Sequence, residues 1–171
     1  MNSAPLRIIA TGGTFDKCYA PIDGSLGFAD SCLPALMDES RIQPAPVIEV
    51  VMLVDSLEMT PAQRRSLVTA CQAAPESHLV IIHGTDTLVE SAVAIAATGL
   101  DKTIVLTGAM VPARFDASDA RFNLGFALAA ARLSPVGVWV AINGLIQRWD
   151  QVRKNREAGA FEVVATVGQR T

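Results

Sequence analysis

The chain has 171 residues and a mass of 18.1 kDa, about one domain on a ~150-residue scale. Half of its residues are hydrophobic and 18% are charged, so it can bury roughly 70% of its unfolded surface, and disorder is excluded. Fourteen Lys and Arg against 17 Asp and Glu leave a net charge of −3. Without a basic footprint, nucleic acid is excluded as a partner.

The longest charge-free stretch, Leu133 to Gln147, is interrupted by Pro135, Gly137, Asn143 and Gly144. It falls short of the ~20 apolar residues a spanning helix needs, so no membrane partner is expected. No basic region precedes a long apolar run at the N-terminus, so no signal peptide is read. Cys18, Cys32 and Cys71 are odd in number and form no C-x-x-C pair. That pattern fits reduced thiols and a cytoplasmic location rather than a disulfide or zinc framework.

Short apolar runs alternate with segments of helical period. Leu6–Ala10 is a first predicted strand, stopped by Gly12 and Gly13. The stretch Thr11–Leu33 reads as a long loop with no clear helix, and loops of that length are usually functional. Val47–Val54 is the second strand. Thr60 and Pro61 then offer an N-cap and a first helical residue for a helix to about Ala73. Leu79–Ile82 is the third strand, Thr85–Ala97 a helix, Thr103–Leu106 the fourth strand and Ser118–Arg132 a helix ended by Ser134 and Pro135. Val136–Ile142 is the fifth strand. After Gly144 the pattern is irregular and charged, with Glu162–Val167 as a candidate last strand. Strands this apolar are covered on both faces. The expected fold is therefore α/β: a doubly wound, mostly parallel sheet flanked by helices, a flavodoxin-like or Rossmann-like three-layer sandwich forming a single domain over residues 1–171.

Ligands in such sheets bind beyond the carboxyl ends of the strands. Polar clusters stand at three of those ends: Thr11-Gly12-Gly13-Thr14, His83-Gly84-Thr85-Asp86-Thr87 and Thr107-Gly108-Ala109-Met110. Asp55-Ser56 forms a weaker fourth. Glycines let backbone amides approach a ligand, and a following helix N-terminus favours an anion or oxyanion. For any one cluster, a turn with a threonine cap is an equal explanation; three together are harder to assign to capping.

The chain lacks the dinucleotide fingerprint, the P-loop and the G-x-S-x-G elbow. Its two histidines, His78 and His83, have no carboxylate pattern for a metal, and His83 reads as a hydrogen-bonded structural residue. Threonine remains as the candidate nucleophile. It needs a neighbour to take its proton, and such assistance is worth roughly 10²- to 10⁴-fold. Tyr19 and Lys154 are the candidate assistants, although Arg153, Lys154 and Arg156 together look like a solvated face.

Ala10-Thr11-Gly12-Gly13-Thr14, Val80 to Thr87 with Glu90, and Val105 to Met110 together resemble the bacterial-type L-asparaginases. The likeness runs on through Asp119, Phe122-Asn123-Leu124, Gly137-Val138 and Asn143, from about residue 6 to residue 156. It implies hydrolysis of L-asparagine to aspartate and ammonia without metal or organic cofactor. By position, Thr14 resembles the threonine that attacks the amide to form an aspartyl ester, with Tyr19 beside it in a lid loop running from Phe15 to Ala29. Thr85 resembles a second threonine coupled to Lys154 and Asp86. Asp86 would also bind the α-amino group and Ser56, next to Asp55, the α-carboxylate. The Ala109 carbonyl would accept from the scissile amide, and backbone N–H groups near Gly13, Thr14, Gly84 and Thr85 would hold the oxyanion.

Typical members of that family are about twice as long, with a smaller second domain beginning near where this chain stops. The resemblance is therefore to the N-terminal domain alone, as in a short-chain member, active as a homo-oligomer (a dimer or tetramer). The neighbouring acidic residue that the second domain supplies would need a substitute, for which Glu157 and Glu162 are candidates by location. Leu57 replaces a polar residue, Val111 replaces an arginine, and Ala120-Arg121 replace Gly-Pro; the loss of the arginine removes a carboxylate-binding group. A glutaminase, an amidotransferase-type subunit and a catalytically silent amino-acid-binding domain are the alternatives.

Overall fold

The computed structural model describes residues 5–164. Its centre is a six-stranded sheet of β1 (Leu6–Gly12), β4 (Val47–Val54), β5 (His78–Ile82), β6 (Thr103–Thr107), β7 (Gly137–Ile142) and β8 (Leu145–Arg148), in the order β4-β1-β5-β6-β7-β8. The first five are parallel, and β8 returns antiparallel along β7 at one edge. Numbered by first appearance, the parallel strands run 2-1-3-4-5, the flavodoxin-like order, whose switch point lies between β1 and β5. The expected α/β sandwich is therefore the fold observed.

The apolar strands serve both faces by strict alternation. Val80 and Ile82 of β5 join Ile8, Ala10 and Val105 on one face. Leu79 and Ile81 join Ile9, Ile104 and Leu106 on the other. The first face is covered by α1 (Leu33–Ser40) and α4 (Ala120–Leu133), the second by α2 (Pro61–Ala73) and α3 (Leu88–Ala96). Thr60 caps α2 in a full capping box with Gln63 and is followed by Pro61, as its sequence requires.

Four features differ from the sequence reading. The long loop contains a 3-10 turn (Thr14–Asp16) and a hairpin of β2 (Cys18–Tyr19) and β3 (Leu26–Gly27), closed by the bonds Ala20 N–Ser25 O and Gly24 N–Ala20 O. Helix α1 follows it, and its eight residues are too few to carry a periodic signal. Helix α3 begins at Leu88 rather than Thr85, because Thr85, Asp86 and Thr87 make tertiary contacts instead. The segment after Gly144 is not irregular: β8 is followed by a second hairpin of β9 (Val152–Asn155) and β10 (Ala160–Val163). The candidate strand Glu162–Val167 thus begins earlier, and its residues from 165 onward lie outside the described residues.

Candidate active site

The site lies at the switch point, where the chain leaving β1 meets the chain leaving β5. Gly12 and Gly13 have φ of +90° and +68°, a region open to glycine. A Cβ on Gly13 would fall 2.3 Å from the Gly84 Cα, and one on Gly84 would fall 2.5 Å from the Ser56 Oγ. The ends of β1, β4 and β5 therefore touch backbone to backbone, and Thr14, Ser56 and Thr85 are brought around the contact.

Thr85 is buried, and Lys154 Nζ donates to its Oγ1 at 2.6 Å and to Asp86 Oδ1 at 2.7 Å. Strand alternation explains how this lysine leaves its charged neighbours. In β9, Val152 and Lys154 face inward and Lys154 pairs with Phe161 across the hairpin, while Arg153 faces out and pairs with Glu162. The Lys154 side chain is 11% exposed and that of Arg153 is 69% exposed. Arg156 adds a second cation, its Nε 3.8 Å from Asp86 Oδ1.

The other threonines separate by role. Thr11 donates to the Ile82 carbonyl at 3.0 Å and ties β1 to β5. Thr87 stands at the N-cap of α3 without capping it; its hydroxyl reaches across to the Ser56 carbonyl at 2.9 Å. Thr14 opens the 3-10 turn half-buried, and its hydroxyl has no hydrogen-bond partner among the described residues.

Among the described residues Tyr19 makes no hydrogen bond to Thr14. It stands 57% exposed on the β2–β3 hairpin, with its hydroxyl over Gly24. The base of that hairpin is pinned by Asp16, whose Oδ1 accepts from Ser31 Oγ, the Cys32 backbone N–H and Cys32 Sγ. Burial raises the Asp16 carboxyl above its usual range against those hydrogen bonds.

Ala109 is buried in the turn after β6, and that turn is held by Asp119. Its carboxylate accepts from the backbone N–H groups of Met110 and Val111, and from the side-chain amides of Asn123 and Asn143. Asn123 also donates to the Gly108 carbonyl and accepts from the Asn143 N–H. Burial pushes Asp119 up, but these donors outweigh it and hold the group below its usual range.

His83 is structural, as its sequence context indicates. Nδ1 bonds the Gly84 carbonyl at 2.8 Å and Nε2 bonds Ser91 Oγ at 2.7 Å, while Arg64 donates to the same serine. Burial lowers its pKa to about 4, assisted by the charge of Arg64 and opposed by the Gly84 bond. The ring is thus neutral, with Nδ1 the donor and Nε2 the acceptor.

Glu162 is taken up by Asn155 and Arg153, and Glu157 is exposed in the hairpin turn; neither reaches Thr85 or Lys154 by a hydrogen bond. Among the described residues no group of three or more His, Cys, Asp or Glu is placed to hold a metal, and no helix is long and apolar enough to cross a membrane. The sequence reading passed over Lys17, whose Nζ is 2.5 Å from Asp55 Oδ2. Its one signal was a lysine three residues beyond Thr14.

A flavodoxin-like sheet with a threonine–lysine–aspartate cluster at its switch point defines an α/β domain built for polar small-molecule chemistry. The family model for the N-terminal domain of asparaginase matches residues 5–167, and the chain belongs to the asparaginase family. It is 27% identical over 176 residues to L-asparaginase 1 of Escherichia coli K12, covering 97% of this chain and 52% of the relative. Among solved structures, the thermostable L-asparaginase from Thermococcus kodakarensis superposes with a TM-score of 0.79 at 27% identity, over 93% of this chain and 51% of that one. A probable cytoplasmic L-asparaginase from Campylobacter jejuni gives 0.75 at 27% identity, over 94% and 53%. This chain spans about half the length of these relatives.

Proposed function

We propose that this chain hydrolyses the side-chain amide of L-asparagine to L-aspartate and ammonia through a covalent aspartyl-enzyme on Thr14. The observation that carries the reading is the bond from Lys154 Nζ to Thr85 Oγ1 with Asp86 as the lysine's partner, directly after the Gly13–Gly84 contact in the chain. A buried threonine held by a lysine is more than a turn requires, and mere binding needs no hydroxyl so arranged. In the first half-reaction the Thr14 oxygen bonds to the amide carbon. Its proton passes to the departing nitrogen, which leaves as ammonia. In the second, water directed by Thr85 and Lys154 cleaves the ester and returns the proton to Thr14. Backbone N–H groups beside Gly13 and Gly84 face the carbonyl oxygen, and the Ala109 carbonyl accepts from the leaving amide.

Ammonia release from L-asparagine by wild type and Thr14→Ala, with L-glutamine alongside, tests the reading. Turnover by wild type alone supports it, and turnover surviving in Thr14→Ala moves the nucleophile elsewhere. A pocket discriminates one methylene by only about 10–200-fold, so glutamine should be a poorer substrate rather than an inert one. The same reading takes the protein as a cytoplasmic homo-oligomer. Free cysteines and exposed Phe122 and Leu133 on α4 are its support. Light scattering that gave the monomer mass would remove the assembly.

A further inference from the structure

We propose that Lys17 recognises the α-carboxylate of the substrate and thereby sets specificity for free α-amino acids, an inference that rests on the amide-hydrolysis reading. Lys17 follows the Thr14 turn directly, and its side chain is only 21% exposed. Asp55 fixes its ammonium at 2.5 Å from Oδ2, while the other oxygen of Asp55 accepts from the Leu57 N–H. Among the described residues Asp55 is the lysine's only side-chain partner. An ammonium has three donors, so two remain for a ligand.

The placement of charge gives this cation its role. Lys154 and Arg156 both engage Asp86. Lys17 is committed instead to Asp55, the residue before Ser56, which lies buried against Gly84. Two carboxylate–lysine pairs thus stand beyond the ends of β4 and β5, one on Asp55 and one on Asp86, a pattern that matches a zwitterion. An α-carboxylate brought to Ser56 without Lys17 would meet the bare charge of Asp55 and be repelled. With Lys17 in place the carboxylate meets a cation already oriented by Asp55, and the neighbouring Leu57 brings no competing charge. Asp55 is here a positioning residue and Lys17 the contact.

Three amides separate this role from that of a simple latch on the hairpin. Succinamic acid keeps the carboxylate and lacks the amine; β-alaninamide keeps the amine and lacks the carboxylate. Loss of one charge-assisted contact should raise KM for L-asparagine and succinamic acid roughly 10- to 100-fold in Lys17→Met. β-Alaninamide should lose no comparable factor, and Lys17→Arg should recover most of the loss. An equal fall on all three amides, or no change on any, overturns the assignment. If wild type releases ammonia from none of them, the amide-hydrolysis reading fails separately. Calorimetry with L-aspartate and β-alanine then decides the role of Lys17. Weaker aspartate binding in Lys17→Met with β-alanine unaffected supports it, and equal binding, or none by wild type, overturns it.

Discussion

A methyl group on Gly13 would lie 2.3 Å from the Cα of Gly84, so the turns that carry Thr14 and Thr85 are in backbone contact. Gly13 cannot take a side chain without parting β1 from β5 at the site, nor Gly84 without displacing Ser56 beyond the end of β4. Gly13→Ala adds the strain of a positive φ. It should destabilise the fold by about 3 kcal/mol, read from urea unfolding, and should lower activity in the fraction that remains folded.

Replacing Lys154 with Met removes the donor to Thr85 and the partner of Asp86 together. On the proposed mechanism kcat should fall by roughly 10²-fold or more, with a smaller effect on KM. A change confined to KM would make Lys154 a substrate-binding residue.

His83 makes stability depend on pH in a window that the depressed carboxyls of Asp55 and Asp119 do not share. Its folded pKa, about 4, lies below its ordinary value of 6.5. The unfolded chain therefore binds the extra proton first as pH falls. The contribution is fully present above 6.5 and is lost progressively toward pH 4, by an amount of order 3 kcal/mol in total. Urea unfolding between pH 7 and pH 5 should show this slope, and His83→Asn should flatten it. The depressed carboxyls of Asp55 and Asp119 act only at lower pH, since their ordinary value is 3.8.

Asp119→Ala leaves two backbone N–H groups and two side-chain amides without their acceptor. We expect a loss of about 3 kcal/mol and a disordered turn at Ala109 to Val111. Amide exchange at Met110 and Val111 faster than in the strands around them is the direct check.

How much of this was legible beforehand varies from element to element, for physical reasons. Strand β4 falls at the expected Val47–Val54 and α2 begins at the expected Pro61, because an apolar run and an N-cap followed by proline are local signals. The start of α3 was misplaced because the fate of Thr85 to Thr87 is decided by Ser56 and Lys154, residues 31 and 69 positions away. Arg153, Lys154 and Arg156 looked alike as a charged string; only the pleat of β9 turns Lys154 inward. The hairpin that carries Tyr19 reads in sequence as a lid loop, since two-residue strands carry no period. Lys17 was passed over because its meaning comes from Asp55, at the end of another strand.

Burial raises the thiols of Cys32 and Cys71 to about 12. At pH 8 iodoacetamide should therefore label Cys18 alone in the folded protein and all three cysteines in denaturant, counted by mass spectrometry.

Among the described residues, Lys154 reaches the site on a hairpin that pairs with no strand of the central sheet. The sheet can be complete while the cluster around Thr85 is not. During synthesis, a chain that has reached Arg148 already possesses all six central strands but lacks the ammonium on which Thr85 depends. On the proposed mechanism, acquiring a fold and acquiring reactivity are successive events along this chain, and the β9–β10 hairpin is the key that arms it.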